Sequence, residues 1–170
     1  MAGDKFLYNN GGVLTEKIAN QASAGAGDAG KVVALDSTGR IDSTMMPVGI
    51  GADTVSLVAS EALSAGNFVN IYNNAGTPNC RKADASTTGK QAHGFVLAAV
   101  SNGASGTVYL AGQNTQLSSL TAGDVFLSDT TPGGVVATAP TGSGKTVQRV
   151  GVAVSATVAD FRPLAPIVLA

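Results

Sequence analysis

A chain of 170 residues can close one good hydrophobic core with a small appendage, and only 12% of its residues are charged, about half the usual share. Lys and Arg number 10 against 11 Asp and Glu and are scattered singly, so the positive stripe needed to neutralise phosphates is missing and no nucleic-acid partner is expected. No apolar run reaches the roughly 18 residues of a membrane span, and the first ten residues lack the charged-then-apolar order of a signal peptide, so no membrane partner is expected and synthesis in the cytoplasm is.

Residues 1–27 read as an N-terminal docking arm. They hold no sustained hydrophobic period and are interrupted by Gly11, Gly12, Gly25 and Gly27. Phe6, Leu7 and Tyr8 form an apolar knot, and the spacing of Val13, Leu14 and Ile18 predicts one or two helical turns. A helix that short does not hold alone, so Phe6, Leu7, Tyr8 and Leu14 are candidates for docking on a partner surface.

Residues 28–50 read as a β-hairpin stem. Two short apolar runs flank the turn-forming Asp36-Ser37-Thr38-Gly39. A lone hairpin is marginal in water, and two or three copies around an axis would bury Val33, Leu35, Ile41 and Met45 together. An oligomer is the consequence.

Residues 51–170 alternate short β-like runs with turn clusters about every ten residues, the pattern of a β-sandwich or β-barrel. The runs are 54–58, 67–72, 90–100, 107–111, 124–128, 134–138, 147–155 and 167–169. Val150, Val152 and Val154 fall on one face, predicting one buried side of their strand. The run from Phe95 to Val100 is apolar on both faces and reads as a central strand. With no Trp, the core is expected to be thin and built mainly of Val, Leu and Ala. The expected fold class is all-β: an extended N-terminal arm and a small hairpin stem, then a single β-sandwich or β-barrel domain.

Catalytic chemistry finds little footing. Ala139 to Thr146 imitates a phosphate-binding loop, but β-branched alternation rather than a helix follows Lys145 and Thr146, so a turn between strands is expected there. His93 lies near Asp84 and Ser86 in sequence, yet no Gly-x-Ser-x-Gly elbow accompanies them, and a hydrogen-bonded histidine entering a buried strand is the simpler reading. Asp28, Asp36, Asp42 and Asp53 lack calcium-loop spacing, and a single His with a single Cys cannot close a zinc site. Cys80 therefore reads as a small, part-buried side chain. No enzyme, cofactor or metal is expected.

Four segments carry a resemblance: GKVVALDSTGRIDSTMMPVGIGADT, GNFVNIYNNAGTPNCRKADAS, GKQAHGFVLAAVSNGASGTVYLAGQNT and VGVAVSATVADFRPLAPIVLA. Over roughly residues 28–170 the chain resembles tailed-bacteriophage virion proteins of the capsid decoration (cement) or head-fibre type, in which a small trimeric stem precedes a β-domain. The resemblance implies a non-enzymatic homotrimer on the outer capsid surface. Its partners would be itself and the major capsid protein, with Phe6, Leu7, Tyr8 and Leu14 docking and Val33, Leu35, Ile41 and Met45 trimerising. The same order of stem and β-domain also serves a head-fibre or short tail-fibre module that binds a host-surface glycan or protein. A nucleotide or cell-wall enzyme is the weakest reading.

Overall fold

The structure, a computed structural model, describes residues 5–46 and 51–170. The chain divides into two compact units, Met1–Gly51 and Ala52–Ala170.

In the first unit, strands β1 (Lys5–Asn10) and β2 (Val13–Ile18) pair antiparallel from Lys5↔Ile18 to Asn10↔Val13. Gly11 and Gly12 form the connection with φ of 61° and 96°, the left-handed pair of a tight two-residue hairpin turn. The Asn9 side chain closes it by accepting the Gly12 N–H at 2.8 Å. The helical turns expected at Val13, Leu14 and Ile18 are therefore absent. The chain reverses at the double glycine, and residues 5–10 supply the backbone partners that a two-turn helix would lack.

The expected hairpin stem is also corrected. Its turn forms, with the Asp36 N–H donating to Arg40 O at 2.8 Å and the Gly39 N–H to Asp36 O at 3.0 Å. No strand ladder extends from it among the described residues. Val33 instead bridges Asn20 in parallel, fixed by Asn20 N–H to Val32 O and Ala34 N–H to Asn20 O, both 2.8 Å. Ser43–Met45 is a 3-10 turn. The cause is local. Asp36 accepts the Thr38 N–H and hydroxyl at 2.8 and 2.6 Å, and Asp42 accepts those of Thr44 at 2.9 and 2.6 Å. Each Asp-Ser-Thr triplet thus folds back on itself, which competes with pairing across the hairpin. The bridge at Asn20, with a Ser23 N–H to Thr44 hydroxyl bond of 2.8 Å, ties the supposed arm to the supposed stem. Residues 47–50 of the expected stem lie outside the described residues.

The second unit is all-β. Strands β3 (Thr54–Ala59), β4 (Phe68–Asn74), β5 (Thr77–Lys82), β6 (Gly94–Phe95) and β7 (Ser105–Tyr109) close a barrel in the order β3-β5-β4-β6-β7, with β3 and β5 parallel and the other neighbours antiparallel. Next come β8 (Gly112–Asn114), β9 (Gly123–Leu127), β10 (Val135–Val136), β11 (Thr146–Val147), β12 (Arg149–Ala153), β13 (Ala159–Phe161) and β14 (Ile167–Val168). Five of these form a sheet ordered β10-β9-β12-β13-β8, and β11 pairs with β14.

Side-chain alternation along β4 and from the end of β6 into Val96 joins barrel to sheet. Val69 and Val96 line the barrel interior with Leu57, Ala59, Cys80 and Val108. Their neighbours Phe68 and Phe95 point the other way, into a second core with Phe161, Val125, Leu127 and Val150 from the sheet. Both cores are built mainly of Val, Leu and Ala, as expected, and the second adds a cluster of three Phe that the composition did not suggest. Phe161 lies 5.7 Å from both Phe68 and Phe95, and Tyr109 stacks on Phe95 at 5.4 Å. Cys80 is fully buried, and burial pushes its thiol up.

Two further expectations fail for identifiable reasons. Of the run 95–100, only Phe95 lies in a strand. Val96 and Val100 bond instead to the 63–67 loop, through Val96 N–H to Asn67 O at 3.0 Å and Val100 N–H to Leu63 O at 2.9 Å, which swings Ala98 and Ala99 out to solvent. In β12 the register slips between Arg149 and Gly151, so Val150 is the extra residue of a β-bulge. The bulge puts Val150 and Ala153 in the core and leaves Val154 exposed, splitting the predicted Val150, Val152 and Val154 face.

Candidate oligomerisation and docking surfaces

Because directly paired residues of an antiparallel ribbon share a face, the register of β1 and β2 sorts the docking candidates. Leu7, Leu14 and Ile18 stand on one face, 72%, 70% and 68% exposed, beside an ion pair of Lys5 with Glu16. Phe6, Tyr8 and Val13 stand on the other, with the Lys17 ammonium 4.1 Å from the centre of the Tyr8 ring. The four predicted docking residues are thus divided, Phe6 and Tyr8 from Leu7 and Leu14. Phe6 alone among the hairpin residues is half-buried. With Leu7, Leu14 and Ile18 open on one face, and Tyr8 and Val13 open on the other beside the half-buried Phe6, the two-stranded ribbon needs a covering surface.

Val13 and Ile18 belong to this surface although only a helical role was expected of them. The signal that could have found them is Asn9-Asn10-Gly11-Gly12, whose double glycine suits a two-residue hairpin turn.

The four trimerisation candidates lie in the same unit. Val33 and Met45 line one cavity of about 230 Å³ together with Asn20, Asp28, Lys31 and Thr44. Leu35 and Ile41 stand on either side of the Asp36–Arg40 turn, each about half exposed. Val32 and Met46, not singled out in the sequence, are exposed as well.

Three carboxylates hold this unit's loops. Hydrogen bonds from Lys31 and the Ala24 N–H, with Asn20, hold the Asp28 carboxyl down to about 2. The Thr38 hydroxyl and the Arg40 and Thr38 N–H groups lower Asp36, and the Thr44 hydroxyl and N–H lower Asp42. Folded pKa values below the unfolded ones mean that this stabilisation is complete above about pH 4 and is lost as pH falls toward 2. Hydrogen exchange of residues 20–46 is expected to be flat from pH 7 to 5, once corrected for intrinsic rates, and to lose protection below about pH 4. Unchanged protection at pH 2.5 would remove these carboxylates as loop anchors.

In the second unit, residues 139–146 form a turn between β10 and β11, followed by strand rather than helix. Lys145 is ion-paired with Asp129, whose carboxyl it lowers, and the Thr146 hydroxyl donates to Thr87 O at 3.2 Å. His93 precedes β6, and its Nδ1 accepts the Ile71 N–H at 3.0 Å. Asp84 accepts the Ser86 N–H at 2.8 Å and lies 3.9 Å from the Lys90 ammonium. Among the described residues no hydrogen bond joins His93 to Asp84 or Ser86, and no three His, Cys, Asp or Glu residues gather as a metal site. No helix among them is long and apolar enough to cross a membrane.

No family model matches the chain, and no match is found among curated proteins or solved structures.

Proposed function

We propose that the chain is a non-enzymatic phage virion protein that decorates and stabilises the outer surface of the capsid as a homotrimer. The observation that carries this reading is the β1–β2 ribbon, whose apolar residues lie open on both faces. Few charges, a ribbon in need of cover and a β-domain with its own core suit a protein that attaches by apolar anchoring rather than by ionic contact. The likeness of residues 28–170 to decoration and head-fibre proteins supports the same assignment. Phe6 and Tyr8 would dock on the major capsid protein, and three copies held together would multiply weak individual contacts. Val33, Leu35, Ile41 and Met45 supply further apolar surface near the trimer axis.

The test is binding of purified protein to phage heads that lack it. The double substitution Phe6→Ala and Tyr8→Ala is expected to weaken binding by about tenfold or more, since aromatic anchors dominate such interfaces. Heads carrying the wild-type protein should outlast bare heads on heating. Equal binding by the double variant would remove the anchoring role. Binding to host cells but not to heads would favour the alternative, a head-fibre or short tail-fibre module that recognises a host-surface glycan.

A further inference from the structure

The two faces of the β1–β2 ribbon differ in charge, and that difference decides what each can meet. One face carries Leu7, Leu14 and Ile18 with the Lys5–Glu16 pair, so its net charge is zero. The other carries Phe6, Tyr8 and Val13 with Lys17 and no acidic residue.

We infer that the ribbon associates with a second copy of this chain through the Leu7, Leu14 and Ile18 face, leaving the Phe6, Tyr8 and Val13 face for a different partner. This rests on the oligomeric reading above and assigns it to particular residues. A second copy laid on the first face meets both signs of charge and three aliphatic side chains. Copies laid together through the second face would bring Lys17 ammoniums together and strip water from them with no carboxylate to compensate. The aliphatic residues are also the more exposed set, at 68–72%. Ribbons of neighbouring copies gathered with this face inward, around the proposed trimer axis, enclose an interior that a single ribbon lacks. Leu7 and Leu14, grouped with Phe6 and Tyr8 by their sequence, thereby move from capsid docking to self-association.

The experiment is sedimentation equilibrium of the full chain, without phage particles, over a range of concentrations. Leu14→Glu and Val13→Glu change adjacent residues of one strand that point to opposite faces. Leu14→Glu is expected to weaken association about 100-fold, and Val13→Glu to leave it within about threefold, because only the first buries a charge in the interface. A pair of charge changes guards against mere loss of the hairpin. Glu16→Lys should weaken association in a salt-sensitive way, and combining it with Lys5→Glu should restore association. A monomeric wild type, equal effects at positions 13 and 14, or no rescue by the charge swap would overturn the inference. Particle binding is scored separately. If Val13→Glu lowers it while association persists, both readings stand. If wild type binds heads but association does not follow the Leu14 face, only this inference falls. If association follows that face but wild type does not bind heads, the capsid reading falls alone.

Discussion

Replacing Phe95 with Ala is expected to destabilise the Ala52–Ala170 unit by about 3–5 kcal/mol, lowering its melting temperature by about 12–20 °C. Phe95 is 1% exposed and sits where the two layers of the unit meet. It pairs with Phe68 of β4 and Tyr109 of β7, which puts it on the seam that closes the barrel. Its ring lies 6.3 Å from Phe68, 5.4 Å from Tyr109 and 5.7 Å from Phe161, so its removal takes contacts from barrel and sheet together. The backbone around it has little freedom to collapse, because Val96 on one side is bonded to Asn67 and Gly66. The cavity should therefore persist, which places the cost in the upper range for such truncations. Phe126→Ala serves as the comparison, since Phe126 is only half-buried on β9. Urea unfolding followed by tyrosine fluorescence and by Cys80 thiol reactivity checks both quantity and mechanism. Cys80 lies in the barrel core, so the two signals should move together in the Phe95 variant. A loss no larger than that of Phe126→Ala would show that the joint between the layers lies elsewhere.

The β class and most strand positions were legible because they depend on local signals. Alternating apolar residues and Gly- or Asn-rich turns placed β3, β4, β7, β9, β10, β12 and β14 within a few residues of where they lie. What could not be read locally was which run would find a partner. Thr77–Lys82 contains Pro78 and two basic residues and has no apolar alternation, yet it is a barrel strand because Ala75 and Gly76, with φ of 49° and 94°, turn it back onto β4. Asn73-Asn74-Ala75-Gly76 and Asn9-Asn10-Gly11-Gly12 are the same device, with an Asn side chain accepting the N–H of the glycine three residues on. At Gly11 and Gly12, read only as an interruption of the arm, it decided the largest error in the candidate surface. The Asp36-Ser37-Thr38-Gly39 turn misled in the opposite sense. Its carboxylate satisfies the loop so fully that the flanking runs are left free to bond elsewhere. Residue 150 shows a third limit, since a one-residue bulge reassigns every later side chain of its strand and leaves no mark in the hydrophobic pattern.

Replacing Gln148 with Leu, a side chain of similar size, is expected to cost about 2–5 kcal/mol despite being more apolar. Gln148 lies between β11 and β12 and is 3% exposed. Its Oε1 accepts the Ala92 N–H at 2.7 Å, and its Nε2 donates to Ala92 O at 3.0 Å and to Leu164 O at 3.4 Å. The side-chain amide thus pairs with the Ala92 backbone as a neighbouring strand would, at the point where the chain enters β6. Leu fills the space but leaves a buried N–H and a buried C=O without partners, and it is those two groups, not lost volume, that carry the cost. Gln148→Glu separates donor from acceptor. An ionised Glu would still accept the Ala92 N–H but would face two carbonyl oxygens, whereas a protonated Glu could donate to one of them. Burial and those carbonyls would raise its folded pKa above the unfolded value of about 4.3, so its stability should be greatest below that pH and fall as pH rises through the folded pKa. Urea midpoints at pH 4.5 and 7 provide the measurement. The Leu variant, referred to wild type, should show the same deficit at both, and the Glu variant a larger one at pH 7. A Leu deficit under about 1 kcal/mol would mean that Ala92 finds other partners and that the amide is filling space rather than completing a sheet.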